Sequence, residues 1–211
     1  TLELSSAASD VYKRQVSSFR KAIDIITDPL SSRINVLAIP GIREPNVTNA
    51  GLDACAEYAM ALYVMDSIHY DESSNRLYDD SPTRPDVRVT AEKFEARNID
   101  NNYGATYFPD VSINDSVNRQ VVDVPSSVAA VGALSFSDKA SKPWFAPAGF
   151  SRGNLSFVTN VKTRLTSEDR DVLYDARINP IAVFPRGGFV IFGQKNLQMA
   201  KSALDLSLIH I

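Results

Sequence analysis

Short apolar runs alternate with amphipathic segments along this chain, and this alternation is the feature that most constrains its fold. Residues 34–39 (INVLAI) are almost wholly apolar and stop at Pro40. Residues 61–66 (ALYVMD) have the same character, and short apolar runs of this kind indicate buried strands, with a continuation of the preceding helix as the alternative for residues 61–66. Strands that are apolar on both faces need cover on both sides, so helices alternating with them predict a layered α/β body.

Three segments between and beyond these strands have apolar residues at helical spacing. The predicted inner faces are Phe19, Ala22, Ile23 and Ile26 in the first helix, Leu52, Cys55, Ala56 and Ala59 in the second, and Val87, Ala91 and Phe94 in the third. Asp28 and Pro29 end the first helix, and Thr48 or Asn49 can cap the second. The third helix is expected over residues 81–97.

The middle of the chain continues the same pattern. Residues 103–113 predict a strand interrupted by Pro109, and residues 121–124 predict a short strand. Pro125 suits the first position of a helix, where its missing N–H costs nothing. The buried stripe of that helix is expected to be Val128, Val131 and Leu134. We therefore assign an α/β domain to residues 16–142.

A different pattern begins at residues 143–149 (PWFAPAG), which follow neither a helix nor a strand period. Their two prolines fix φ, and Trp144 supplies a large area to bury, so the run suits an irregular segment packed between two bodies. Thr166 then caps a helix with acids in its first turn. Residues 181–184 and 189–192 flank a Pro-Arg-Gly-Gly turn and predict a hairpin. These features predict a smaller α+β domain over residues 143–205.

Both ends of the chain carry an unusual signature. Residues 10–15 (DVYKRQ) back-translate to GATGTGTATAAGAGACAG, and residues 206–211 (LSLIHI) back-translate to CTGTCTCTTATACACATC. The two strings are reverse complements and look like a sequencing-library adapter read at both ends. We therefore expect residues 1–15 and 206–211 to be non-native, and we leave them out of fold reasoning.

Composition excludes several classes of function. The net charge of −3 gives no electrostatic case for nucleic acid binding. No apolar stretch is long enough to predict a membrane span. The single cysteine, Cys55, excludes an internal disulfide and fits a reducing compartment.

The sequence offers little catalytic chemistry. Without the adapter residue His210, only His69 can serve as a histidine base, in a Cys55–His69 dyad or a serine triad. Ser126 and Ser127 lie between a strand and a helix but lack a glycine-flanked nucleophile elbow, so a helix cap explains them better.

No metal or phosphate site is predicted either. An acidic cluster is formed by Asp71, Glu72, Asp79, Asp80 and Asp86. These residues do not have the spacing of an EF-hand, so we interpret them as a solvated loop, with weak cation binding as the alternative. The Arg-Gly-Gly of residues 186–188 joins two strands without a phosphate-loop signature, so we interpret it as a turn. No cofactor is expected.

Several motifs occur together in an order that resembles the tail sheath proteins of contractile bacteriophages. They are NVLAIPG (35–41), YGATYFP (103–109), VPSSVAAV (124–131), the segment 144–153, LY (173–174), NPI (179–181) and GQ (193–194). The resemblance covers nearly all of residues 16–205. It implies a body with subtilisin-like layering and no catalytic role, followed by a C-terminal domain that faces the inner tail tube.

The resemblance also implies partners and a location. Sheath subunits stack in sixfold rings around a tube and above a baseplate, as part of a virion assembled in the host cytoplasm. Extended terminal arms join neighbours by adding strands to their sheets. Neither arm is recognised in residues 16–205, so we expect this chain to fold but to polymerise poorly.

Two sets of residues follow as candidate functional positions. Trp144, Phe145, Pro147 and Gly149 are expected to lock the two domains together, and Gln194, Lys195 and Lys201 are expected to face the tube. Two alternatives to a phage tail sheath protein remain: the sheath of a tailocin or a bacterial contractile injection system, and a hydrolase on a subtilisin-like fold. The scarcity of histidine argues against the hydrolase.

Overall fold

The computed structural model describes residues 2–78, 81–115, 117–140 and 145–199, with side chains from residue 10 onward. Helices and strands alternate along these residues, so the fold is mixed α/β, as the sequence predicts. The finer expectation of subtilisin-like layering remains a prediction.

The elements have the following bounds. The helices are α1 (Leu2–Ile26), α2 (Pro45–Tyr58), α3 (Val87–Glu95), α4 (Ser126–Ala140), α5 (Gly149–Arg152) and α6 (Ser167–Asp175). The strands are β1 (Val36–Ala38), β2 (Leu62–Asp66), β3 (His69–Tyr70), β4 (Arg76–Leu77), β5 (Gly104–Phe108), β6 (Val111–Asp115), β7 (Gln120–Val124), β8 (Val158–Val161), β9 (Asn179–Phe184) and β10 (Gly188–Ile191).

A five-stranded sheet forms the centre, in the order β1-β2-β5-β9-β10. Its first four strands are parallel, with Val36 opposite Leu62, Tyr63 opposite Gly104, and Tyr107 opposite Asn179. β10 returns antiparallel to β9, which confirms the predicted hairpin. The carboxyl ends of β2 and β5 therefore lie side by side at one edge of the sheet.

Strands from both sides of the expected boundary at residues 142 and 143 share this sheet. β9 pairs with β5, so the hairpin is covered as part of a larger sheet and does not stand alone. The boundary itself lies outside the described residues, and the division into domains 16–142 and 143–205 remains a prediction.

A three-stranded antiparallel sheet, in the order β7-β6-β8, stands beside the central one. The outer edge of β10 is also occupied. The amide of Leu155 donates to the carbonyl of Phe189 at 2.8 Å, and the amide of Ile191 donates to the carbonyl of Gly153 at 2.8 Å. The segment 153–155 thus closes an edge that would otherwise offer unpaired backbone groups.

Two hydrophobic cores lie against the central sheet, one on each face. Successive residues of a strand point to opposite faces, and on β2 Tyr63 and Met65 belong to one core whereas Val64 belongs to the other. The first core takes residues from α2, α3 and α6, and the second takes them from α4, β8 and β9. Cover on both faces explains why residues 62–65 of β2 are all apolar.

Local capping agrees with the sequence at two helices. Thr166 and Asp169 form a reciprocal capping box at the start of α6, as the threonine and first-turn acids predict. The Asp86 side chain accepts a 2.8 Å hydrogen bond from the amide of Val89 and so caps α3. The predicted inner residues of α3 are all buried.

Other local predictions are corrected. α2 begins at Pro45, and its N-cap Glu44 makes no side-chain cap, so Thr48 lies inside the helix. Ala56 is exposed because Tyr58 takes the inward position, and Ala59 ends the helix in a left-handed conformation (φ 56°). Ala22 and Ile26 of α1 are likewise exposed.

The inner face of α4 is also corrected. Its buried residues are Ser126, Ser127, Ala129, Ala130, Ala133 and Ser137, whereas Val128, Val131 and Leu134 are half-buried. Small side chains let the helix axis approach the sheet closely, and the larger residues then fill the flanks of the contact.

Two further features concern the ends and the surface. α1 runs through the segment expected to be adapter-derived, where Nδ2 of Asn46 donates to the Tyr12 hydroxyl at 3.1 Å. The adapter origin of residues 1–15 remains a prediction. Across the described ranges, no helix combines the length and apolar character needed to cross a bilayer.

Candidate functional site

A buried cluster of polar side chains occupies the edge where β2 and β5 end. Asp66, the last residue of β2, is 1% exposed, and its carboxylate faces the start of α4. It accepts hydrogen bonds from the amide and the hydroxyl of Ser127, at 2.9 and 2.8 Å, and from the Ser126 hydroxyl at 3.2 Å. The amide of Gly41 donates a fourth, at 2.9 Å. Gly41 has a φ of 79°, and this glycine conformation directs its N–H toward the carboxylate.

A second buried carboxylate, Asp110, follows β5. It accepts a 2.7 Å hydrogen bond from the Arg43 guanidinium and a 3.2 Å hydrogen bond from the amide of Ser126. The imidazole of His69 lies 3.6 Å from the same carboxylate and stacks edge-on against the Phe108 ring at 5.0 Å between centroids. Two strand ends, a loop and a helix terminus are thereby joined through polar contacts.

We call Asp66, Asp110, Ser126 and Ser127 the carboxylate–serine cluster. Its electrostatics agree with its geometry. Burial raises the pKa of Asp66, and the hydrogen bonds from Gly41 and Ser127 together with the charge of Arg43 offset only part of that effect. The carboxylate also lies at the N-terminus of α4, where the helix dipole favours a negative charge. The arrangement fixes α4 on the sheet edge.

The cluster does not assemble a serine nucleophile. Both serine side chains are buried, and the Ser126 hydroxyl shares its single proton between the Tyr107 carbonyl, at 2.8 Å, and Asp66, at 3.2 Å. Their hydroxyl protons are directed at acceptors that hold the helix, and substrate has no access to them. The helix-cap interpretation of Ser126 and Ser127 is corrected: their amides donate to Asp110 and Asp66, so these carboxylates cap α4, and the serine hydroxyls serve as donors.

Only part of this cluster is indicated by patterns in the sequence. His69 is 3% exposed, because β3 places its ring against Phe108. Asp66 ends one apolar strand and Asp110 lies two residues beyond the end of another, and the carboxyl ends of neighbouring parallel strands share one edge, so the sequence does contain a signal for these two residues. Nothing in the sequence around Arg43 marks it as the partner of a residue 67 positions away.

The Cys55–His69 dyad has no support in the structure. Cys55 is fully buried in the first core, and burial raises the pKa of its thiol to about 11. A thiol with that pKa stays protonated at neutral pH and is inert as a nucleophile.

The residues expected to join two domains lie near the start of α5. Pro147 is buried, and Gly149 begins α5 with a φ of 79°. Phe145 is 37% exposed, and the Arg152 guanidinium lies 4.3 Å from its ring centroid. Trp144 lies outside the described residues, so the proposed interdomain role of this set remains a prediction.

The residues expected to face a tube are engaged within the protein. The Tyr107 hydroxyl donates to Oε1 of Gln194 at 3.1 Å. The Lys195 ammonium donates to the carbonyl of Tyr174 at 3.0 Å and lies 3.3 Å from the centroid of the Tyr174 ring. Lys201 lies outside the described residues. The tube-facing role remains a prediction.

The backbone around Lys195 is held equally firmly. Its amide donates to Oδ1 of Asn179 at 2.6 Å, and its carbonyl accepts from Nδ2 of Asn179 at 2.8 Å. Asn179 also donates to the carbonyl of Thr106 on β5. The Asn-Pro-Ile motif thus has a local structural role: its asparagine ties the segment after β10 back to the sheet.

The described residues give little support for a metal or phosphate site. Among the described residues, no group of three or more His, Cys, Asp or Glu side chains is placed to hold a metal ion. Asp71 binds Asn75 through backbone and side-chain hydrogen bonds, which lower its pKa, and Asp86 caps α3. Asp79 and Asp80 of the predicted acidic loop lie outside the described residues. Residues 185–187 form the hairpin turn, as expected.

The fold and this cluster define a layered α/β protein whose buried polar groups serve its architecture. No family model matches the chain. It is 36% identical over 107 residues to the tail sheath protein of Vibrio phage KVP40, and 32% identical over 91 residues to the tail sheath protein of Enterobacteria phage T4. The matched segments are 51% and 43% of this chain, but only 15% and 13% of those two proteins.

Solved structures with the same fold are also sheath assemblies. The contracted helical sheath of the anti-feeding prophage matches with a TM-score of 0.56 and 20% identity, over 92% of this chain and 47% of that one. The contracted PVC sheath of an extracellular contractile injection system matches with a TM-score of 0.58 and 19% identity, over 82% and 42%. The chain is therefore similar in sequence to phage tail sheath proteins and in fold to contractile sheaths, and it spans less than half the length of each of these relatives and structures.

Proposed function

We propose that the chain is part of a subunit of a contractile tail sheath, which polymerises around a tail tube and contracts to drive that tube through a host envelope. The observation that carries this proposal is the agreement between two independent comparisons. Sequence identity above 30% points to the tail sheath proteins of two phages, and the fold matches a contracted helical sheath over 92% of the chain.

The described residues suit a subunit that moves as one body. Both faces of the central sheet are covered, and the carboxylate–serine cluster joins β2, β5 and α4 at one edge. A subunit that transmits force must keep its shape while its contacts with neighbours change. Close-packed cores have low compressibility and therefore suit this task.

The mechanism we propose is a switch between two ways of stacking. Contacts with the tube and the baseplate would hold the extended polymer of sixfold rings in a metastable arrangement, and contraction would re-register subunits as rigid bodies. A preference of a few kcal/mol per subunit for the contracted packing is of the size that separates conformational states. Summed over a polymer, it drives movement without nucleotide hydrolysis.

The same proposal contains the finer expectations from sequence. We infer a subtilisin-like layering without catalytic use, and a division near residue 142 that Trp144, Phe145, Pro147 and Gly149 bridge. The subunit would be a component of the virion, assembled in the host cytoplasm. We propose no enzymatic activity, because the hydroxyls of Ser126 and Ser127 are buried and used as donors to Asp66.

A second candidate is the sheath of a tailocin or a bacterial contractile injection system. The specific observation in its favour is that the matched solved structures are an anti-feeding prophage and an extracellular contractile injection system. The proposal of a phage sheath rests on the sequence identities to the two phage proteins, which are higher than the identities to these solved structures. Neighbouring capsid and terminase genes would identify a phage.

Electron microscopy of the complete gene product tests the proposal. Expressed alone at its full length, the protein is expected to form hollow tubes in a contracted state. A full-length product that stays monomeric at high concentration would overturn the sheath proposal.

A further inference from the structure

Two buried polar groups lie where α2 and the end of α3 meet the central sheet. The Tyr63 side chain on β2 is 0% exposed, and Arg97 follows the last turn of α3. Among the described residues, neither the Tyr63 hydroxyl nor Nη1 of Arg97 has a hydrogen-bond partner, although both atoms are buried. Most buried polar groups in proteins are hydrogen-bonded, so two exceptions in one region point to a ligand that both of them bind.

Both groups approach the same stretch of α2. A Cβ on Gly51 would lie 2.8 Å from Cε1 and 2.9 Å from Cζ of Tyr63, so the hydroxyl end of this ring lies against α2. Nη2 of Arg97 donates to Thr48 at 2.9 Å and to Asn49 at 2.7 Å. Thr48 is one turn before Gly51 and is also buried. Burial raises the pKa of Tyr63, and the nearby charge of Arg97 acts against that effect.

A small cleft connects this region with solvent. Its volume is about 240 Å³, and it is lined by Arg97, by Asn49 and by residues 98–101. The exposed acids Asp53 and Asp100 also line the cleft, and their carboxylates disfavour the binding of an anion. The guanidinium of Arg97 disfavours a cation next to Nη1 in the same way. A neutral ligand therefore suits the inner end of the cleft.

The hydrogen-bonding capacity of the two groups selects water as that ligand. Nη1 of Arg97 can only donate, whereas the Tyr63 hydroxyl can both donate and accept. A ligand that joins them must accept from Arg97, and it can donate to Tyr63. Water does both, and a buried water typically makes about three hydrogen bonds to polar groups. The third polar group of this region is the Thr48 hydroxyl, whose contact with the Pro45 carbonyl is long, at 3.5 Å.

We propose that the inner end of this cleft is a hydration site, in which one buried water accepts a hydrogen bond from Nη1 of Arg97 and donates one to the Tyr63 hydroxyl. The water joins β2 to the end of α3 beside α2, on the face of the sheet opposite α4. The hydration site goes beyond the proposed sheath function, because it concerns a ligand inside the subunit and does not require polymerisation.

The sign of the stability change in Tyr63→Phe tests the hydration site. If the hydroxyl is bonded to water, its removal should lower the folding equilibrium constant in urea titrations by about fivefold or more. Tyr58→Phe is the matched control, because the buried Tyr58 hydroxyl accepts from the Ile34 amide at 3.1 Å and donates to the Ser32 carbonyl at 3.0 Å. The two variants should lose similar stability. A hydroxyl that lacks a ligand predicts the opposite sign for Tyr63→Phe, so unchanged or increased stability overturns the proposal.

A crystal structure of the 211-residue chain, at a resolution that shows ordered water, locates the ligand directly. We expect a water oxygen about 2.7–3.2 Å from both Nη1 of Arg97 and the Tyr63 hydroxyl. Arg97→Lys keeps the charge but removes Nη1, so Tyr63→Phe should cost less stability in that background than in the wild type. A wild-type structure in which no water touches both groups, or in which they bond to each other directly, overturns the proposal even if Tyr63→Phe does not fold.

Discussion

The carboxylate of Asp66 accepts hydrogen bonds from both the amide and the hydroxyl of Ser127, at 2.9 and 2.8 Å. Asp66 ends the strand β2, and Ser127 is in the first turn of α4, 61 residues later in the chain. A strand residue thereby satisfies helix N-terminal donors that are more often capped by a neighbour in sequence. This contact fixes the position of α4 on the sheet.

Removing the Asp66 side chain should therefore destabilise the protein. Asp66→Ala leaves the buried donors of Gly41 and Ser127 without their acceptor, and each buried unsatisfied donor costs about 1–3 kcal/mol. We expect the free energy of unfolding to fall by about 2–5 kcal/mol in urea titrations. Asp171→Ala, at an exposed position of α6, is the control, and a similar small change in both variants would contradict the structural role.

Stability should also depend on pH through Asp66. Burial raises the pKa of this carboxyl, so the folded protein binds the proton more tightly than the unfolded chain does. The contribution of Asp66 to stability therefore falls as the pH rises from its pKa in the unfolded chain through its higher pKa in the folded protein. The contribution is regained when the pH is lowered. Relative to Asp66→Asn, the wild type should gain stability as pH is lowered from 7 toward 4.

Urea midpoints of the two proteins at several pH values measure this difference. Asp71 and Asp115 have lowered pKa values and act in the opposite direction, but both variants share them, so their effect cancels in the comparison. A wild-type advantage that shrinks on acidification would show that the pKa of Asp66 is lowered instead.

The sequence predicts the elements of this protein better than it predicts their polar connections. An apolar run such as that of β2 predicts a buried strand, and a threonine followed by acids, as at Thr166, predicts the start of a helix. The inner face of α4 was misjudged because Val128 and Leu134 are the more hydrophobic residues, whereas close packing on the sheet requires the small side chain of Ala130.

The carboxylate–serine cluster could be predicted only in part. The placement of Asp66 and Asp110 at strand ends follows from parallel topology, once that topology is assumed. The approach of Arg43 and the burial of His69 depend on how two loops pack in three dimensions, and no periodic pattern encodes such packing.

Cys55 should be unreactive until the protein unfolds. Its thiol is buried, and with a pKa of about 11 only about one molecule in a thousand carries a thiolate at pH 8. Iodoacetamide should leave the native protein unmodified and label it fully in denaturant, as mass spectrometry would show. Cys55 is the single cysteine, so rapid labelling of the native chain would directly contradict its burial.

The closed edge of β10 should be sensitive to substitution at Gly153. A Cβ on this residue would lie 2.8 Å from the carbonyl oxygen of Ile191. This distance is too short for a carbon atom, so the backbone would have to shift. Gly153→Ala should lower the free energy of unfolding by about 1–3 kcal/mol, as overpacked sites do. Ser151→Ala, two residues earlier and exposed, is the matched control. Equal midpoints for the two variants would mean that the segment 153–155 does not hold this edge.

Charge reversal at Lys195 tests whether the segment after β10 has a tube-binding role beyond its structural one. The ammonium of Lys195 binds the Tyr174 carbonyl and ring, so Lys195→Glu should lower stability slightly as well as remove a positive charge. Lys195→Gln removes the charge without reversing it and controls for the lost contact. If Lys195 faces a tube, co-sedimentation of the full-length sheath with its tube protein should weaken progressively from Lys to Gln to Glu, while thermal unfolding shifts equally in the two variants. Equal tube binding by all three proteins would leave Lys195 with an internal role alone.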